Sequence, residues 1–319
     1  MLLILPLITN AQFEKYILAE WFTNTYCGIC SGKNPGLQQV YDAFGDKVHR
    51  ITVHPDVPYP QCSLYNFNKE DNAARQTFYH VTGTPQIYLN GKVASTSSSL
   101  AFQDALNSLK DNESSISVVV NELGTNQVKI TINSAANLVG DFRLFVALVE
   151  KKLDFASPNG EKEHFDVLRD FISSPEGDQI TLPGAGEAKT FDYSFGIPQG
   201  VAADQAYVVA FVQNFATGEI LNSGTKFDEV VTSLADISIE SDLRTFPNPA
   251  TDMLNVRVGN EFRIHHMMLY DQLGQQVKTI ELSSPVKSGS FSISDLPSGT
   301  YLIQVDLGNK KGITRFVKE

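Results

Sequence analysis

Apolar residues along this chain gather into runs whose period changes from one third to the next. Ile17-Leu18-Ala19 and Trp21-Phe22 form a short, nearly continuous apolar run, as expected of a strand buried on both faces. Leu37, Val40, Tyr41 and Phe44 recur at helical spacing and stop near Gly45, which predicts a helix with one buried face. Val48–Val53 reads as a second strand, residues 54–66 as a Pro-rich loop, Ala73, Ala74, Phe78 and Tyr79 as a second helix, and Leu100–Leu109 as a closing helix. From about residue 115 the pattern is strand-only. Val128, Ile130 and Ile132 alternate with Lys129 and Thr131, Phe142–Val149 is apolar on both faces, and Tyr207–Val212 is a further short run. Gly, Asn and Asp clusters between them predict a β-sandwich of about 120 residues. The stretch Pro158–Phe171 interrupts that pattern with charged and aromatic residues and reads as a solvated insertion, or else a partner-binding loop. The last segment starts at Thr245-Phe246-Pro247-Asn248-Pro249, whose prolines stiffen an extended lead-in. Leu254, Val256 and Val258, then Met267–Tyr270, then Tyr301, Ile303, Val305 and Leu307, then Ile313–Val317 supply strands for a β-sandwich of about 75 residues.

Composition narrows the function classes. With 319 residues the chain is long enough for two or three cores. A net charge of −11 disfavours a nucleic-acid groove, and no apolar run reaches membrane-spanning length. Residues 1–12 carry an apolar stretch with Thr9 and Ala11 placed for cleavage before Gln12; they read as a secretory signal without its basic n-region. A secreted chain meets an oxidising compartment.

The candidate chemistry lies where the first apolar run ends, in Cys27-Gly28-Ile29-Cys30. Two cysteines across the first turn of a helix can close a disulfide without backbone movement. The free N–H groups and helix dipole there favour a thiolate. Cys27 is the expected nucleophile, and Cys30, one turn further in, is placed to resolve a mixed disulfide. Half of a zinc site and an inert staple are the competing readings. Zinc needs a second ligand pair, which Cys62, His49, His54 and His80 do not supply, so no metal and no cofactor beyond the dithiol is expected. The odd cysteine, Cys62, reads as a shielded thiol, with a third redox partner or an intermolecular bond as alternatives.

Over about residues 13–112 the sequence resembles the thioredoxin family. Pro35 falls five residues after Cys30, where the family carries a helix-kinking proline. Val81-Thr82-Gly83-Thr84-Pro85 is similar to its cis-proline segment, followed by a hairpin through Asn90-Gly91, and the order βαβαββα is the family's. The resemblance implies that Glu20 relays protons for Cys30 and that Thr84 and Pro85, with Trp21 and Tyr26, form a substrate platform. Tyr26 stands where the family has tryptophan and Ile29 where proline or histidine is common. The Glu20-to-Cys27 interval is one residue longer than in thioredoxin.

Two further resemblances cover the rest. Phe145–Glu150 and Val208–Asn214, together with the excursion at 158–171, resemble a Bacteroidetes outer-membrane protein family that joins a thioredoxin-like domain to a β-domain, over roughly 13–228. Pro247-Asn248-Pro249-Ala250, Leu269–Val277, Leu296-Pro297-Ser298-Gly299-Thr300-Tyr301 and the basic-apolar ending at Lys318 resemble the C-terminal sorting domain of the type IX secretion system. That resemblance implies recognition by the translocon and its sorting peptidase, with Pro247, Asn248, Pro249, Gly299, Tyr301 and Lys318 carrying the signal.

The expected organisation is multi-domain: a signal peptide over 1–12, an α/β thioredoxin-like fold over 13–113, a β-sandwich over 114–236, a linker over 237–244 and a small Ig-like β-sandwich over 245–319. The expected function is an exported or cell-surface thiol–disulfide oxidoreductase acting on protein thiols or disulfides. The alternative is a surface binding or adhesion protein whose Cys27–Cys30 disulfide is structural.

Overall fold

The computed structural model describes residues 12–123, 126–228, 243–259, 262–271, 276–307 and 311–319; the expected signal peptide, but for Gln12, and most of the expected linker lie outside them. The chain divides into two compact units, up to residue 230 and from 231 onward.

The first unit begins β1 (Phe13–Glu14), β2 (Ile17–Phe22), α1 (Gly28–Phe44), β3 (Val48–Val53), α2 (Ser63–Phe67), α3 (Lys69–Phe78), β4 (Gln86–Leu89), β5 (Lys92–Ala94), α4 (Ser99–Asn107) and β6 (Glu113–Ser114). Strands follow: β7 (Ile116–Leu123), β8 (Gln127–Ser134), β9 (Phe142–Asp154), β10 (Glu163–Phe171), β11 (Asp178–Ile180), β12 (Ala188–Ser194), β13 (Ala206–Asn214) and β14 (Ile220–Thr225). Side-chain caps start α3 and α4. Asn68 accepts from the Asp71 N–H at the head of α3 and Ser98 from the Ala101 N–H at the head of α4, each satisfying a donor that has no partner within its helix.

The boundary expected at residue 113 is not a domain boundary. One sheet runs β14-β13-β9-β10-β3-β2-β4-β5 with β11 on β9, so strands from both expected domains share one hydrogen-bonded ladder. The join is β10, parallel to β3 through Val167 and Thr52 and antiparallel to β9. The Pro158–Phe171 excursion is therefore not a solvated insertion; its second half is this buried central strand. Side-chain alternation cannot reveal a strand that is buried on both faces and carries His164, Asp166 and Arg169 inside.

The period of two explains the layers. Ile17, Ala19 and Trp21 of β2 pack with Leu37 of α1 and Phe102 and Leu106 of α4. Leu18 and Phe22 turn the other way, into a cluster with Ile51, Val53, Phe145, Val209, Phe211 and Ile220. Leu144, Val146, Val208 and Ala210 pack against the separate sheet β12-β8-β7. The large sheet curls, so that β14 returns to β2 and β3. Asn222 accepts from the Tyr16 N–H and donates to the Glu14 and Ile116 carbonyls, and the His49 ring meets the Ser223 hydroxyl at 2.9 Å.

The second unit contains β15 (Arg244–Phe246), β16 (Met253–Arg257), β17 (Ile264–Tyr270), β18 (Gln276–Val286), β19 (Ser288–Ser292), β20 (Gly299–Asp306) and β21 (Lys311–Lys318). They form two sheets, β15-β16-β19 and β18-β17-β20-β21, over one core that includes Leu254, Val256, Met267, Leu269, Ile303, Val305 and Phe316. The lead-in closes on the last strand. Asn248 Oδ1 accepts from the Val317 N–H at 2.8 Å, and Ala250 forms a parallel bridge with Lys318. Tyr301 stacks on Phe316 and donates its hydroxyl proton to the Pro297 carbonyl. The chain is thus multi-domain and mostly β.

Candidate functional site

At the C-terminal end of β2 the chain leaves the sheet through Thr23-Asn24-Thr25-Tyr26 and enters α1 with Cys27 as N-cap. Cys27 and Cys30 are joined in a disulfide. The Cys27 carbonyl accepts from the Ser31 N–H at 3.2 Å and its sulfur accepts from the Cys30 N–H at 3.1 Å. A sulfur so placed receives both a direct donor and the positive end of the helix dipole, and each favours a thiolate once the bond is reduced. Both cysteines are covered, Cys27 to 3% exposure and Cys30 to 0%, whereas Ile29 between them is 63% exposed. Thr84 and Pro85 meet the dithiol. Their peptide bond is cis, and the Thr84 carbonyl oxygen lies 3.4 Å from Cys27 Sγ.

The structure distributes the other expected residues differently. Tyr26 is partly exposed beside Tyr59. Trp21 is not at the surface. It packs edge-on to Phe102 and donates its indole N–H to Asn34 Oδ1, because its place in β2 points it beneath α1. There it walls a cavity of about 350 Å³ lined also by Thr23, Asn34, Arg50, Glu161 and Phe165. The Arg50 guanidinium in that wall is held by Asp166 and Gln38 and lies 4.1 Å from the centre of the Tyr41 ring.

Glu20 is bonded elsewhere than to the dithiol. Alternation along β2 turns it to the face of Leu18 and Phe22, where Arg75 of α3 grips both its oxygens, at 2.7 and 2.9 Å, and the Tyr79 hydroxyl donates as well. Both partners of this pair are 1% exposed. Arg75 donates onward to Gln213 of β13 and lies against the Phe145 and Phe211 rings. Burial pushes the Tyr79 hydroxyl well above the usual tyrosine range, and the Glu20 charge adds to this. The expected proton relay is therefore an ion pair that ties α3 to the curled sheet.

One feature of the site was hidden from the sequence pattern, and another, the shielded Cys62 thiol, was legible in it. Residues 155–162, which connect β9 to β10, bring Asn159 to the dithiol turn. The Asn159 N–H donates to the Thr25 carbonyl at 3.0 Å, and its side-chain amide donates to the Cys27 carbonyl at 3.1 Å and the Asn24 carbonyl at 3.3 Å. Glu161 accepts from Asn159 and from Asn34 of α1. Asn159-Gly160 is a turn dipeptide between two strands, the one signal that pointed to a tight connection here. Cys62, a free and buried cysteine, accepts from the Thr25 hydroxyl at 3.2 Å. Nearby, His54 is fully buried, neither ring nitrogen has a hydrogen-bond partner among the described residues, and its ring lies 6.2 Å from that of His164. Burial pushes both imidazoles below the usual histidine value.

Comparison with known proteins gives this architecture a family. The outer membrane protein Omp28 family matches residues 66–225, half of the chain. The chain belongs to the Omp28 family. The secretion system C-terminal sorting domain matches residues 244–319, which lie within the second compact unit. Together the two matches make this an exported protein, secreted or held at the cell surface in association with the outer membrane, and its sorting domain engages the type IX secretion system. No helix among the described residues is long and apolar enough to cross a membrane. Among solved structures, HBP35 of Porphyromonas gingivalis shares the fold at a TM-score of 0.57 and 16% identity, over 96% of this chain and 98% of that one. A domain of the outer membrane lipoprotein Omp28 from Porphyromonas gingivalis aligns over 34% of this chain and 83% of its own, at 20% identity and a TM-score of 0.24. No curated protein matches the chain.

Proposed function

We propose that this family member is an exported thiol–disulfide oxidoreductase whose first unit is a thioredoxin-like domain extended by β9, β10, β13 and β14. The observation that carries this reading is the Cys27–Cys30 pair at the start of α1 with the Thr84–Pro85 backbone beside Cys27. A dithiol so placed exchanges two electrons with a protein partner. In the reducing direction the Cys27 thiolate attacks a substrate disulfide and expels one substrate thiolate, which takes a proton from water. The Cys30 thiol then loses its proton and attacks Cys27 Sγ, closing the Cys27–Cys30 bond and releasing the second substrate thiolate. The reverse sequence oxidises a substrate dithiol by the same steps. The Thr84 carbonyl and the exposed Ile29 and Tyr26 offer an extended substrate chain a backbone acceptor and an apolar rest.

The near-complete burial of both sulfurs favours a second reading, a surface binding protein in which the disulfide is a staple. The reduction potential separates the two. Mass-shift alkylation in graded thiol buffers should place the pair above about −250 mV if it is a working dithiol, whereas a value below about −300 mV marks a structural bond and refutes the enzyme. Cys30→Ser should also trap a mixed disulfide on Cys27.

A further inference from the structure

The geometry points to Asn159, outside the expected thioredoxin-like segment, as a positioning residue of the redox site. This rests on the oxidoreductase reading above. The turn that presents Cys27, Thr23-Asn24-Thr25-Tyr26, is braced from within by Asn24, whose Oδ1 accepts from the Tyr26 N–H at 3.0 Å and whose carbonyl accepts from the Cys27 N–H at 2.9 Å. It is also held from two sides. On one, the Asn24 amide donates to the Pro55 and Tyr59 carbonyls and Thr25 donates to Cys62. On the other, Asn159 engages the carbonyls of Asn24, Thr25 and Cys27.

Three carbonyls of one short turn meeting a single residue more than 130 positions away is a clamp, and its own aim is fixed. Asn159 Oδ1 accepts from the Glu161 N–H at 3.1 Å, and the Glu161 carboxylate accepts from the Asn159 amide at 2.7 Å. The other carboxylate oxygen takes the Asn34 amide of α1 at 2.8 Å. The clamp therefore spans the turn before Cys27 and the helix after it. What it preserves is the cap in which the Cys30 N–H faces Cys27 Sγ, the contact that becomes a charge-assisted hydrogen bond when Cys27 is a thiolate. Asn159 touches no reacting atom. It acts by keeping the N-cap conformation, and with it the readiness of Cys27 to ionise.

The test uses the full chain with Asn159→Asp, which matches the side chain in size but has no amide donors, and Asn159→Ser, which keeps a turn-forming residue too short to reach Cys27. Alkylation of reduced Cys27 is followed against pH, and the dithiol is equilibrated with glutathione. Both variants should shift the alkylation profile to higher pH and move the glutathione equilibrium about tenfold toward the disulfide, about 30 mV in potential. Each should retain the wild-type melting profile of the second unit. If Asp disrupts folding of the first unit, the Ser variant alone decides. A profile and equilibrium within twofold of wild type would overturn the assignment while leaving the oxidoreductase reading intact. A wild-type dithiol that thiol buffers above about −300 mV fail to reduce overturns both.

Discussion

Replacing Glu20 by glutamine separates an ion pair from a proton relay. The substitution keeps shape and removes one charge from a site where both partners are 1% exposed. Arg75 would keep a neutral amide oxygen, Gln213 Oε1 and the faces of Phe78, Tyr79, Phe145 and Phe211, but no anion. Breaking one side of a buried pair costs about 3–5 kcal/mol. The retained acceptor puts Glu20→Gln near the lower end, about 3 kcal/mol, or about 6–12 °C in melting temperature for a unit of this size. The protein has one tryptophan, Trp21, so indole fluorescence in a urea titration reports the first unit selectively, and the midpoint should fall with an unchanged slope. At low urea the rate at which Cys30 releases a mixed disulfide from Cys27 should stay within twofold of wild type. A variant as stable as wild type that resolves the mixed disulfide more than fivefold slower would refute the argument and restore Glu20 as a relay.

Acidification should destabilise the first unit from about pH 6.5 downward, because His54 and His164 are held below the usual imidazole value by burial and the unfolded chain binds protons that the folded one refuses. Urea midpoints between pH 7 and 5.5 measure this, and His54→Leu should flatten the slope by up to about 1.4 kcal/mol per pH unit. Asp71 acts in the opposite sense. Burial raises its carboxyl to about 6, so below that pH the folded state takes up a proton earlier than the unfolded one, and Asp71→Asn should steepen the acid loss. Gly91→Ala should cost more than about 3 kcal/mol by urea titration, since its φ is +85° and an added Cβ would lie 1.9 Å from the Gly218 carbonyl oxygen. Asn248→Ala should lower the stability of the sorting unit by about 1–2 kcal/mol, read by thermal melting, through loss of the bond to the Val317 N–H.

Local pattern was readable where one face of an element is apolar and the other polar. That is why α1, α4, β8, β16 and β20 lie where periodicity put them, and why the dithiol, with its cysteines three apart across a helix start, stood out. The pattern failed where polar residues are buried in pairs. Arg75 and Glu20 are 55 positions apart and Arg50 and Asp166 are 116 apart, so each looks like a solvated charge until its partner is known. The same cause hid β10, whose His164, Asp166 and Arg169 mimic a surface loop, and with it the continuity of the sheet across residue 113. Asn159 was missed for a different reason. Its value lies wholly in what the β9–β10 connection touches, and no spacing along the chain records that.

The parallel place of β10 beside β3 has a consequence for the order of events when the chain is made and exported. A chain that has emerged only as far as α4 has every helix of its dithiol half, yet β3 still shows an open edge, and such an edge recruits stray strands. Its rightful neighbour arrives more than a hundred residues later, and the Asn222 side chain that ties down Tyr16 arrives 206 residues after it. Closing loops of that length is slow. The first unit therefore ripens last at its oldest end, and the turn that presents Cys27 gains its Asn159 contacts only once the β9–β10 connection has emerged.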